Sequence, residues 1–215
     1  MLKNNNALIM VDIQNDFCPG GSLAVPDGHA IVEIANFLQP LFEVVIATKD
    51  WHPKDHMSFA TNHPGHMLGD VITMHGVKQI LWPDHCVQGS SGAEFHPDLN
   101  TAKISKTFFK GTDRAVDSYS AFFDNEHLRS TLLGEYLKEQ GVDNIFIVGL
   151  ATDYCVKYSC VDAVGLGFKT HVVIDGCRGI DLVAGDIDRA VEEMVAAGVE
   201  VVTLDRVLGL GAVHS

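Results

Sequence analysis

The sequence predicts an α/β fold, a three-layer α/β/α sandwich around a roughly six-stranded and mainly parallel sheet, on three observations. Six short runs rich in β-branched residues recur along the chain, most of them are apolar on both faces, and amphipathic segments lie between them. Near-continuous apolarity marks strands buried on both sides, and alternation with helices is the signature of a parallel sheet. The runs are "ALIMVDI" (7–13), "VVIATKD" (44–50), "KISKTFF" (103–109), "NIFIVGL" (144–150), "THVVID" (170–175) and "VEVVTLD" (199–205). Between the first two, "GHAIVEIANFLQPLF" (28–42) repeats apolar residues at helical spacing. The segments "EHLRSTLLGEYLKEQG" (126–141) and "DIDRAVEEMVAAG" (186–198) do the same, each ending on a glycine suited to a helix C-terminus. Residues 50–100 break the pattern: Pro, Gly, His and Asp crowd together, and no long periodic element is legible. A connection of that length is functional or disordered, and its two tryptophans and many histidines favour function. No repeat, low-complexity tract or linker divides the chain, so residues 1–215 read as one domain with a metal- and substrate-binding loop region at about 50–100.

Bulk properties narrow the function. A hydrophobic content of 47% over 215 residues is enough for a sizeable core without covalent staples. The formal net charge of -13 argues against nucleic acid or an anionic membrane surface as partner, since both reward clustered Lys and Arg. Five cysteines, an odd number without CxxC spacing, and an N-terminus unlike a signal peptide suggest reduced thiols in a cytoplasmic protein. No apolar run approaches the roughly 18 residues a bilayer span requires. Oligomeric state, including a homo-oligomer, stays open.

In an open parallel sheet, ligands bind beyond the carboxyl ends of the strands. The residues expected there are Asp12 after the first strand, Asp50 and His52 after the second, Lys110 after the third, and Ala151 and Cys155 after the fourth. Cys155 has two readings. It is a small buried hydrophobe, or it is a nucleophile in the first turn of a helix, where unpaired N–H groups and the helix dipole favour the thiolate and can hold an oxyanion. Asp12 is a turn former, or the group that takes the thiol proton and passes it on. Lys110 is a solvated charge, or the partner that orients Asp12 and accompanies the thiolate. Cys160 and Cys177, the second following a strand without an evident base, fit the core reading. Asp50 and His52, two apart on an extended end, face the same way, and "LWPDHC" offers His85 as a third ligand. Such a set is solvated, or holds a divalent ion such as Zn²⁺, Fe²⁺ or Mn²⁺.

Five segments taken together resolve these alternatives. "VDIQNDFCPGGSLAVPDG", "ATKDWHPKDHMSF", "LWPDHCVQGSSGAEFHPDL", "FFKGTDRAVDSYSAFFDN" and "VGLATDYCVKYSCVDA" resemble, in order, the motifs of the nicotinamidase family within the isochorismatase-like hydrolases. The similarity runs from about Ala7 to Leu204 and implies the isochorismatase-like, Rossmann-like fold. It also implies an amidase of NAD salvage that converts nicotinamide to nicotinate and ammonia through a thioester, and accepts pyrazinamide. By that resemblance Cys155 is the nucleophile, Asp12 the general acid/base and Lys110 the third triad member. Asp50, His52 and His85 hold one divalent ion, Zn²⁺ first and Fe²⁺ or Mn²⁺ as alternatives, and that ion holds the pyridine nitrogen. Phe17, Trp82 and Tyr119 surround the ring, and a cis peptide enters Ala151 so that the N–H groups of Ala151 and Cys155 form an oxyanion hole. His56 is either a fourth protein ligand or a donor to a metal-bound water. A related N-carbamoyl amidase keeps Asp, Lys and Cys but generally lacks the metal cluster, and an inactive pyridine-carboxamide-binding protein would have no need of the triad.

Overall fold

A computed structural model describes residues 5–74 and 76–212 of the chain. In chain order its strands are β1 (Asn6–Val11), β2 (Val44–Asp50), β3 (Val71–Met74), β4 (Val77–Ile80), β5 (Lys106–Lys110), β6 (Asn144–Leu150), β7 (Lys169–Arg178) and β8 (Glu200–Val202). The α-helices are α1 (Ile31–Leu38), α2 (Leu133–Glu139), α3 (Lys157–Gly165), α4 (Asp186–Ala197) and α5 (Leu204–Ala212). Six strands form one sheet in the order β5-β2-β1-β6-β7-β8. Every neighbouring pair in it is parallel. The expected α/β architecture is therefore observed.

Alternation along the central strands builds the layers. Leu8 and Met10 of β1, with Phe146, Val148 and Leu150 of β6, pack on one face against Ile31, Val32, Ala35 and Leu38 of α1 and Val207 of α5. Ala7, Ile9 and Val11, with Ile145 and Ile147, pack on the other face against Leu133 and Leu137 of α2, Cys160 and Ala163 of α3 and Met194 of α4. Because successive side chains point to opposite faces, strands apolar at every position must be covered twice. Each fully buried aliphatic side chain contributes roughly 1.5–3 kcal/mol, so the two layers together are the main stabilising element. Among the described residues no helix is long and apolar enough to cross a membrane.

Three local expectations are corrected. The helix read over 126–141 begins only at Leu133, because Asp124 accepts the N–H groups of Glu126 and Leu128 on its own carboxylate and holds that segment as a loop. Within 50–100 lies an unforeseen antiparallel hairpin, β3–β4, too short to show a period. Cys177 lies within β7 rather than after it. All five cysteines are free and buried, which fits the reading of reduced thiols.

Gly149 is fixed by packing. It has φ 138° where β6 runs against β1, and an added Cβ would stand 2.1 Å from the Val11 carbonyl oxygen. Gly149→Ala is expected to lower the unfolding free energy by at least about 2 kcal/mol, from forced overpacking and an unfavourable φ, read from the midpoint of urea denaturation.

Candidate active site

The chain steps from β1 to β2 to β5 on one side of the sheet, then returns beside β1 with β6 and continues to β7 and β8 on the other side. The reversal between β1 and β6 opens a crevice at the carboxyl ends, the standard ligand position of such sheets. Asp12 follows β1 at this edge, Asp50 and Lys110 are the last residues of β2 and β5, and Ala151 and Cys155 follow β6. All of them are buried.

Lys110 is the hub. Its Nζ lies 2.8 Å from Asp12 Oδ2, 2.9 Å from Asp50 Oδ1 and 3.4 Å from Cys155 Sγ, and donates to the Ser118 carbonyl at 3.0 Å. Asp12 has φ 50°, an uncommon conformation for a non-glycine residue. Thr48 of β2 holds it there: its hydroxyl donates to Asp12 Oδ1 at 2.6 Å and accepts the Asp12 N–H at 3.2 Å. Asp12 Oδ2 pairs only with Lys110 among the described residues, and a carboxylate oxygen that accepts one bond still has a lone pair for a proton. Burial raises the Asp12 pKa above the usual carboxylate value, against the pull of Lys110.

The thiol corrects one expectation. Residues 152–156 form a π-turn leading into α3, and the Leu150–Ala151 peptide is cis, as the motifs imply. Burial nevertheless pushes the Cys155 thiol well above its ordinary value; Lys110 opposes this, and the charges of Asp12 and Asp50 add to it. That shift favours the neutral thiol over a thiolate made by the helix start. Desolvation and the two nearby carboxylates work against the dipole.

A second cluster adjoins the first. His52 Nε2 lies 3.0 Å and His85 Nε2 3.4 Å from the same oxygen, Asp50 Oδ2. His52 Nδ1 pairs with the Gly111 carbonyl at 2.9 Å and His85 Nδ1 with the Pro83 carbonyl at 2.7 Å. A carbonyl can only accept, so both Nδ1 atoms carry a proton and each Nε2 is turned toward Asp50, where it donates to the carboxylate when protonated and can ligate a metal when neutral. Two imidazole nitrogens and a carboxylate converging in this way fit a divalent metal ion, with the outer partners fixing each ring. Although burial works the other way, His52 and Lys110 hold the Asp50 carboxyl well below the usual range, so it is ionised. Gly111 is obligatory here, since a Cβ would lie 2.3 Å from the His52 ring. The loop bringing His85 alongside is held by His52 N–H to the Cys86 carbonyl at 3.0 Å and Gln88 N–H to the His52 carbonyl at 2.8 Å. Gln14 fixes the end of β2, accepting the Asp50 N–H and donating to the Asp50 carbonyl, each at 2.8 Å. His56 is buried beside His52, with ring centroids 4.3 Å apart, and burial followed by the His52 charge holds its pKa down to about 4.

Between the thiol and the candidate metal ligands lies a narrow cleft lined by Phe17, Trp82, Tyr119, Ala151, Cys155, Asp50 and His85, which brings the expected ring-binding residues together. Trp82 Nε1–H donates to the Tyr119 hydroxyl at 3.0 Å, and Phe17 meets His85 edge-on at 5.6 Å. Leu23, Asp117, Tyr154 and Ile180 also line the cleft and were not singled out from the sequence. Tyr154 could have been found, as an aromatic neighbour of Cys155; the other three carry no local signal.

Comparisons with known proteins agree with this geometry. The isochorismatase domain profile matches residues 6–206. The nicotinamidase of Escherichia coli is 47% identical over 92% of this chain and 94% of its own length. The solved nicotinamidase/pyrazinamidase of Acinetobacter baumanii is 46% identical with a TM-score of 0.93, covering 95% of this chain and 98% of that one. A pyrazinamidase of Pyrococcus horikoshii solved in complex with zinc is 35% identical with a TM-score of 0.75, covering 93% of this chain and 99% of that one. With similarity spanning nearly its whole length, the chain belongs to the isochorismatase-domain family, in its nicotinamidase branch.

Proposed function

We propose that this protein is a metal-containing cysteine amidohydrolase that converts nicotinamide to nicotinate and ammonia, a step of NAD salvage, and also accepts pyrazinamide. The observation that carries the reading is the Lys110 ammonium within 3.4 Å of the Cys155 sulfur and within 3.0 Å of the carboxylates of Asp12 and Asp50. It joins a thiol, a base and a metal ligand in one buried site. The nicotinamidases of E. coli and A. baumanii support the substrate, and the zinc-bound pyrazinamidase supports Zn²⁺ as the ion. We read residues 1–215 as one catalytic domain whose segment 50–100 supplies metal and ring contacts.

The aromatic cleft clamps the pyridine ring and sets the carboxamide carbon beside Cys155. Asp50, His52 and His85 would hold a divalent ion, which when bound would supply a Lewis-acidic contact for the ring nitrogen. Asp12 takes the thiol proton as sulfur bonds to the carboxamide carbon, and the N–H groups of Ala151 and Cys155 receive the developing oxyanion. Asp12 then delivers that proton to the amide nitrogen as the C–N bond breaks, releasing ammonia and leaving a thioester. In the second half Asp12 takes a proton from water as its oxygen bonds to the acyl carbon. The C–S bond breaks, the proton returns from Asp12 to sulfur, and the free acid gives up its remaining proton to solvent or ammonia and departs as nicotinate. Lys110 stays cationic, balancing negative charge on Asp12 and on the sulfur in turn.

In an ammonia-release assay on nicotinamide, Cys155→Ala is expected to show background turnover only; turnover at the wild-type level would remove the thiol as nucleophile. Asp12→Asn should lower kcat by roughly 10²–10⁴-fold. Because the reaction needs ionised Asp12 and burial raises its pKa from 3.8, kcat/KM is expected to rise with pH through a midpoint above 3.8, a limb absent from the residual activity of Asp12→Asn. Chelator treatment should abolish turnover and Zn²⁺ restore it in the wild type but not in Asp50→Ala, as measured by activity against bound-metal content.

A further inference from the structure

Ile180 lines the reaction cleft although nothing beside it in the sequence marks it for that place. It lies on the loop 179–185, between the end of β7 and the start of α4. Phe17, Leu23 and Ile180 pack with the layer that contains α1, whereas Tyr119, Tyr154 and Cys155 pack with the layer that contains α3. The cleft thus lies where the two layers meet, with Ile180 on the side away from the tyrosines and the thiol.

A carboxylate in the catalytic turn sets the position of this loop. Asp153 is buried in the π-turn, two residues before Cys155. Its Oδ1 accepts the Ile180 N–H at 3.0 Å and its Oδ2 accepts the Asp181 N–H at 2.8 Å. Two N–H groups meeting one carboxylate fix the direction of the chain at Ile180, and bonds to an ionised acceptor are the strong ones. Gly179 permits the approach, since an added Cβ would overlap Ile187 of α4 and stand 3.1 Å from Asp153 Oδ1. At the far end Asp181, with φ 54°, accepts the Asp186 N–H on Oδ1 at 2.8 Å, and Asp186 Oδ2 accepts the Val183 N–H at 2.8 Å. Leu182 and Val183 at the tip are exposed, so these hydrogen bonds, and not burial of the tip, hold the loop in place.

We infer that Asp153 is a positioning residue for substrate binding, which acts by holding Ile180 as an apolar wall against the substrate ring. The inference rests on the nicotinamidase reading given above. One short turn then carries two separate tasks, with Cys155 doing the chemistry and Asp153 shaping the ring site through a loop far along the chain. A wall that touches the ring alike before and during reaction contributes uniform binding, so its loss appears in KM and spares kcat. Support of the nucleophile or of the oxyanion hole would show the opposite split, because those contacts matter most in the transition state.

The test is steady-state kinetics of ammonia release from nicotinamide by the full-length protein, in the wild type, Ile180→Ala, Ile180→Val, Asp153→Ala and the double variant Asp153→Ala/Ile180→Ala. Ile180→Ala is expected to raise KM by about 10-fold, as loss of an apolar contact in a ring pocket does, with kcat within a few-fold of wild type. Ile180→Val keeps most of the wall and should stay within a few-fold of wild type in both constants. Asp153→Ala should raise KM by a similar factor with kcat likewise little changed. In the double variant KM should not exceed that of the weaker-binding single variant by more than about two-fold, since the wall that Asp153 holds is already gone. An unchanged KM in Ile180→Ala, a lower kcat at wild-type KM in Asp153→Ala, or multiplied effects in the double variant overturns the inference while leaving the nicotinamidase reading standing. Absence of turnover in the wild type overturns both. Should Asp153→Ala not fold, Asp153→Asn keeps an acceptor for one of the two N–H groups; a several-fold rise in KM is expected, and an unchanged KM overturns the inference.

Discussion

A buried ammonium shared between two carboxylates constrains this structure more than any other contact. Lys110 ends β5, Asp50 ends β2 and Asp12 follows β1, on three strands that are consecutive neighbours in the sheet. The side chain of Lys110 therefore reaches past β2 to the end of β1. Charges this deeply buried are tolerated only as a set, since loss of one leaves the others uncompensated in a low-dielectric interior. Strand order, the positions of the strand ends and the left-handed backbone at Asp12 all serve that one arrangement.

The candidate metal-binding group depends on the same hub through Asp50, which gives Oδ1 to Lys110 and turns Oδ2 toward His52 and His85. One carboxylate thus joins the Asp12–Lys110–Cys155 cluster to the two histidines. The rings facing it are oriented from behind by backbone carbonyls, at Gly111 for His52 and Pro83 for His85. Gly111 directly follows Lys110, so the turn that ends β5 delivers the ammonium to one cluster and the orienting carbonyl to the other.

Burial works against a charged sulfur at Cys155. A helix start on an exposed surface would lower a cysteine's pKa, but around Cys155 desolvation and the neighbouring carboxylates win. The consequence is that, under the proposed mechanism, Cys155 depends on Asp12 to take its proton. Cys160, buried on α3 with no base beside it, shows what the same residue type is without such neighbours.

Local pattern was enough to reveal the sheet, because apolar runs such as 7–13 and 144–150 have a period that survives in one dimension. That Asp12, Lys110 and Cys155, then Asp50, His52 and His85, and then Phe17, Trp82 and Tyr119 would lie close to one another was legible too, from strand ends and from five ordered motifs. What stayed hidden was whatever depends on chain segments distant in sequence. The β3–β4 hairpin is too short for a period, and the hydrogen bond from Gln79 to Asp117 joins segments far apart along the chain. The protonation of Cys155 turned on burial that no local signal reports. The sequence by itself determined the architecture and which residue types stand at the strand ends. Only the tertiary structure decided which buried charges balance one another and which nitrogen of each histidine faces the centre, because electrostatics and hydrogen-bond direction depend on distances through space and not along the chain.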